Sequence, residues 1–131
     1  MLKQQIHLKA PVSRVWKALT TASEFGQWFG VTLSDEFAQG VRVHTNTPGD
    51  LFCVVDQIQP ERRFVIRRTS ASKDAMTTVA FQLEGRDGGT LLTIIETGFE
   101  SLAPAVREQA QKTNEQSWQQ HTGDLERFVT T

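Results

Sequence analysis

The 131-residue chain is short of the residues on which the commoner chemistries depend. It has one cysteine, Cys53, so no internal disulfide can form, and its place between Phe52 and Val54 suits a small buried strand residue better than a nucleophile. No apolar run approaches the roughly 20 residues of a membrane span. The opening "MLKQQIHLKAP" is broken by polar residues where a signal peptide carries an unbroken apolar stretch, so a cytoplasmic protein without a membrane partner is expected. The 14 basic and 15 acidic residues are interspersed, which leaves no basic stripe and makes nucleic acid an unexpected partner. There is no phosphate-cradling glycine loop, no nucleophile beside a base and no carboxylate pair at fixed spacing. His7 and His44 fall where strand alternation points outward, and His121 lacks an acidic or cysteine partner at metal-ligand spacing, so no metal and no cofactor are expected. Aromatic residues make up only 8% of the chain, yet "SEFGQWFG" (Ser23–Gly30) holds three of them in eight residues.

The periodicity explains where those rings belong. Leu2, Gln4, Ile6 and Leu8 alternate with Lys3, Gln5, His7 and Lys9, the period of a half-buried strand. Pro11 suits the first position of a helix whose stripe is Val12, Val15, Trp16 and Leu19. Thr21 and Glu24 have the spacing of a capping box, which predicts a second short helix ended by Gly30, with Phe25, Trp28 and Phe29 on one side. Turn sequences at Thr47–Asp50, Gln59–Arg62, Ser70–Asp74 and Arg86–Gly89 then divide five strands: Val41–Asn46, Leu51–Ile58, Arg63–Thr69, Thr77–Glu84 and Thr90–Thr97. Such short links predict an antiparallel meander. From Pro104 a helix runs to the C-terminus on the stripe Ala110, Asn114, Trp118, Thr122, Leu125 and Val129, with Gly123 as its weak point. The length suits one domain over residues 1–131, with a core that buries about 65–70% of the unfolded surface. The order predicts an α+β fold in which a curved sheet wraps one long helix, leaving between them a space that side chains fill or a pocket occupies.

Four stretches together carry a family resemblance: "APVSRVWKALTTASEFGQWFG", "FAQGVRV", "IQPERRFVIR", and "TLLTIIETGF" followed by "NEQSW…LERFV". Combined, they resemble the SRPBCC superfamily of START and Bet v allergen-like proteins, and within it the bacterial branch named after the activator of the heat-shock protein 90 ATPase. The resemblance spans essentially the whole chain. It implies a helix-grip fold, with about six strands around the C-terminal helix, two short helices after strand one, and an internal cavity. It implies no particular reaction, because relatives include carriers, polyketide cyclases and co-chaperones.

Within that frame, strand parity separates inside from outside. Phe64 and Ile66 turn inward and carry Arg68 with them, at a position where relatives often have an aromatic residue; Leu92 and Ile94 likewise carry Glu96. Asn114 matches the asparagine that relatives carry ahead of their tryptophan on the long helix. A lone buried charge is costly, so Glu96 is expected to be paired with Arg68, bound to Asn114, hydrated or protonated. His7 and His44 fall on outward parities, whereas His121 adjoins the inner stripe. Trp16 and Trp118 read as core residues. Phe52, Phe64, Phe81 and Trp118 are bulky enough to occupy much of the interior. The cavity candidates are therefore Phe25, Trp28, Phe29, Phe64, Ile66, Arg68, Phe81, Leu92, Ile94, Glu96, Asn114 and Trp118. Three functions fit: binding of a hydrophobic or amphipathic small molecule, cofactor-free cyclase or hydrolase chemistry with Glu96 as acid or base, and association with a chaperone. Monomer and dimer are equally compatible with the surface pattern.

Overall fold

Alternating strands joined by short turns build one antiparallel sheet. The computed structural model describes residues 1–47, 51–69 and 76–131. Its strands are β1 (Leu2–Leu8), β2 (Arg42–His44), β3 (Phe52–Gln59), β4 (Arg63–Thr69), β5 (Met76–Arg86) and β6 (Gly89–Thr97), in the spatial order β1-β6-β5-β4-β3-β2. Helices α1 (Val12–Thr20) and α2 (Ala22–Phe29) follow β1. A short 3-10 turn at Phe99–Ser101, not foreseen from the sequence, leads into α3 (Pro104–Thr130), around which the sheet curves as a helix grip.

Register keeps the predicted parity and shows where it breaks. Arg63–Thr69 is a strand with the expected bounds, and Phe64 and Ile66 face inward opposite Phe81 and Val79 of β5. On β3 a bulge at Asp56 separates the pair Val55–Ile66 from the pair Gln57–Val65, so the inward set changes from Cys53 and Val55 to Ile58. β2 is shorter than Val41–Asn46, because Thr45 leaves the ladder to bridge Leu33 and donates its N–H to the Leu51 carbonyl at 3.0 Å. The β5–β6 reversal uses Asp87 and Gly88, both at positive φ (52° and 77°), as a two-residue hairpin turn requires. Apart from Thr47, the turns expected at Thr47–Asp50 and Ser70–Asp74 fall outside the described residues.

The short helices correct two local expectations. Pro11 lies just outside α1, in an extended conformation, and its carbonyl accepts the N–H groups of Arg14 and Val15. The capping box does not form: the Thr21 hydroxyl makes no cap bond. Glu24 turns instead to the cations of α1, with Arg14 at 2.6 Å and Lys17 at 3.4 Å, while the Ala22 N–H donates to Glu36 Oε1. Two nearby cations outweigh one backbone amide as partners for this carboxylate. Gly30 does end α2, at φ 86°, with its N–H on the Gly26 carbonyl. Gly26 itself admits no side chain, because an added Cβ would lie 2.4 Å from the Val31 carbonyl oxygen.

The core lies between sheet and helix. Phe64 stacks on Phe81 with ring centroids 6.0 Å apart, Phe81 meets Trp118 edge-on at 5.7 Å, and Leu92 and Ile94 complete the layer, all essentially solvent-free. Trp16 is half-buried and meets Phe64 edge-on at 6.3 Å. Phe52 does not belong to this interior. It lies on the outer face of β3, opposite His44, with the Arg42 guanidinium 4.0 Å from its ring centre. Along α3 the buried residues are Trp118, Thr122, Leu125 and Val129, all in the second half.

Candidate functional site

Where the first half of α3 rises from the sheet, charged and aromatic side chains of four elements converge. Glu96 reaches inward from β6 and is completely buried. Its carboxylate accepts hydrogen bonds from Arg68 of β4 (Nε to Oε2 and Nη2 to Oε1, both 3.1 Å) and from Thr77 of β5 (2.6 Å). From α3 it accepts the Asn114 amide at 3.2 Å and the Trp118 indole N–H at 3.0 Å. The arrangement follows from periodicity. Arg68 and Thr77 are cross-strand partners on the inner face, and Asn114 and Trp118 stand four residues apart on one side of a helix. Of the outcomes the sequence allowed for Glu96, the structure shows the pairing with Arg68 and the bond to Asn114 together. Both oxygens are occupied by donors, so the group works as an internal tie between sheet and helix, out of a substrate's reach.

Above this tie is an apolar pocket of about 120 Å³, lined chiefly by Phe25, Phe29, Leu33, Cys53, Ile66 and Trp118, with Arg68 at its edge. It adjoins a longer groove of about 640 Å³ between α3 and the sheet, which Asn114, Ser117 and His121 help to line. Phe29, Thr47, Leu51, Arg68 and Thr69 line both, so the two spaces share a rim. The Arg68 side chain is 24% exposed there and its guanidinium carbon is 5.2 Å from the Trp118 ring centre.

The structure divides the sequence candidates into three sets. Phe25, Phe29, Ile66, Arg68, Asn114 and Trp118 line the pocket or groove. Phe64, Phe81, Leu92 and Ile94 lie deeper, as packed core, and Glu96 lies beneath the rim. Trp28 parts company with its neighbours: its indole N–H donates to the Ala18 carbonyl at 2.8 Å, which fastens α2 to α1, and its ring lies edge-on to Phe25 at 4.8 Å. The aromatic cluster is thus part anchor and part wall.

Thr77, which ties Glu96, and Leu33, Leu51 and Thr69, which line the spaces, were not among the residues singled out from the sequence. The parity that turns Val79 and Phe81 inward would have carried Thr77 with them. Leu33 lies between elements, where no periodicity applies. Cys53 is a wall residue: burial, opposed in part by the Arg68 charge, pushes its thiol up to about 11, which keeps it protonated and unreactive at neutral pH. His121 stacks on Phe29 with centroids 4.0 Å apart and meets Trp118 edge-on at 5.9 Å. Burial first, and then the Arg68 charge, hold the imidazole below its ordinary value of 6.5 against the opposing pull of Asp124, so at neutral pH it adds no charge to the groove. Among the described residues no cluster of His, Cys, Asp or Glu is arranged to hold a metal, and no helix is long and apolar enough to cross a membrane.

Comparison with known proteins agrees with this architecture. Protein MLL2253 from Mesorhizobium loti superposes with a TM-score of 0.85 at 22% identity, over 98% of this chain and 95% of its own. CalU16 from Micromonospora echinospora matches with a TM-score of 0.74 at 20% identity, over 98% and 73%. The Aha1 dimer from Colwellia psychrerythraea matches with a TM-score of 0.79 at 16% identity, over 95% and 92%. At such identities the likeness establishes the fold. No curated protein matches the chain. The family model described as Activator of Hsp90 ATPase homolog 1-like protein matches residues 9–130, nearly the full length, and the chain therefore belongs to that family.

Proposed function

We propose that the protein binds a small hydrophobic or amphipathic molecule, with its apolar end in the pocket under Phe29 and the remainder along the groove beside α3. One observation carries this reading: the aromatic residues do not fill the space between sheet and helix, and the apolar pocket shares its rim with a solvent-facing groove. Pocket and groove together reach the usual size of small-molecule sites, about 300–1,000 Å³. An apolar lining with a few fixed polar groups at the rim gives affinity through burial and orientation through hydrogen bonds.

Catalysis by Glu96 has no support in this geometry, because four neighbouring side chains already engage its two oxygens and it lines neither space. The test is to purify the protein under native conditions, record its mass spectrum, and screen thermal stability against lipids and aromatic metabolites. A retained ligand or a saturable rise in Tm supports the proposal. An empty protein that no compound stabilises contradicts it.

A further inference from the structure

We infer that the ligand of this site is electrically neutral, with an apolar end the size of about one ring and a carbonyl-type oxygen that accepts a hydrogen bond from Arg68. This rests on the small-molecule reading and narrows it to a chemical class. Size sets the apolar end, since the inner pocket is about 120 Å³ and an apolar cavity of about 150 Å³ holds one benzene.

Charge sets the rest. Among the described residues, Arg68 is the one formally charged side chain lining either space. Its positive charge is already matched by Glu96, which takes Nε and Nη2. Nη1 makes no hydrogen bond among the described residues, on a side chain held in place by that fork and by Trp118. A carboxylate ligand would have to shed its hydration to reach this nitrogen, and would then share one cation with a second, buried anion. An ammonium group would face Arg68 directly. A ketone, amide or ester oxygen accepts the same bond with neither difficulty. His121, uncharged at neutral pH, offers no compensating cation to an acidic ligand.

The test compares two probes of matched size, 4-phenylbutan-2-one and 3-phenylpropanoate, titrated at pH 7.5 against isotope-labelled protein. The readouts are the Trp118 indole N–H and the Cys53 and Ile66 amides. The ketone should shift these resonances and bind at least about tenfold more tightly than the acid. Leu33→Trp, which places a bulky ring in the half-buried wall, should abolish its binding. The paired change Arg68→Met with Glu96→Gln, which leaves no buried charge unpaired, should weaken the ketone and shrink its advantage; if that variant does not fold, the wild-type ratio decides. Equal or tighter binding of the acid overturns the inference while leaving the small-molecule reading intact. So does a pocket that refuses the ketone but accepts another compound of the wider screen. A pocket that takes no compound overturns both.

Discussion

The two halves of α3 are built for different purposes. From Trp118 onward the helix buries Trp118, Thr122, Leu125 and Val129 against the sheet and the short helices. From Pro104 to Ser117 it buries nothing fully, Val106 is 46% exposed, and polar bonds hold it to one side: Gln4 Nε2 donates to the Glu115 carbonyl and Gln111 Nε2 to that of Met1. The groove opens on the other side, toward Arg68 and Thr69 of β4 and Thr77 of β5. The cluster around Glu96 marks the transition, where the last tie between helix and sheet is polar. A single helix thus supplies both the clamp of the fold and the free wall of the site. It does so by changing the composition of one stripe from Leu125 and Val129 to Ala110 and Asn114.

Breaking the tie should have the largest effect. Arg68→Met leaves the Glu96 carboxylate buried without its cation and should cost about 3–5 kcal/mol in urea unfolding. Adding Glu96→Gln should restore part of that loss; a double variant as unstable as the single one would show that the pair is not coupled. In the clamped half, Leu125→Ala should cost about 2–5 kcal/mol through the cavity it leaves. Gly123→Ala should stabilise by up to about 1 kcal/mol, because the added Cβ meets only the flexible Arg127 side chain at 3.7 Å.

The His121 contribution is smaller and depends on pH. Its folded-state pKa lies below the unfolded value of 6.5, so the unfolded chain binds the proton more readily. Its stabilising contribution is therefore complete above 6.5 and lost as pH falls from there through the folded-state value. His121→Gln should flatten the pH dependence of unfolding in that window, and an unchanged slope would assign it to other groups. In the free half, Val106→Ala should alter stability by less than about 0.5 kcal/mol. A larger loss would mean that this surface is covered in solution.

Much of the framework could be read from the sequence because it rests on periodicity, which a single chain displays. The inward parity of Phe64 and Ile66 delivered Arg68, that of Leu92 and Ile94 delivered Glu96, and the helical stripe delivered Asn114 and Trp118 to the same point. What failed depended on competition between partners. Thr21 and Glu24 have capping-box spacing, but Arg14 and Lys17 on the preceding helix draw the carboxylate away. Phe52 looked like interior on composition, yet its register partner His44 places it on the outer face. The division of labour between Trp28 and Phe29 turns on one bond to the Ala18 carbonyl, which no spacing encodes. The pocket is a difference between filled and unfilled space, and side-chain identity alone does not set it.

Entry of a small molecule where α3 leaves the sheet should be visible in a crystal structure of the protein soaked with 4-phenylbutan-2-one. Electron density is expected for the phenyl ring beneath Phe29, against Cys53, Ile66 and Trp118, with the ketone oxygen toward Arg68 at the rim. A pocket closed by side chains, or a compound bound only elsewhere on the surface, would contradict it.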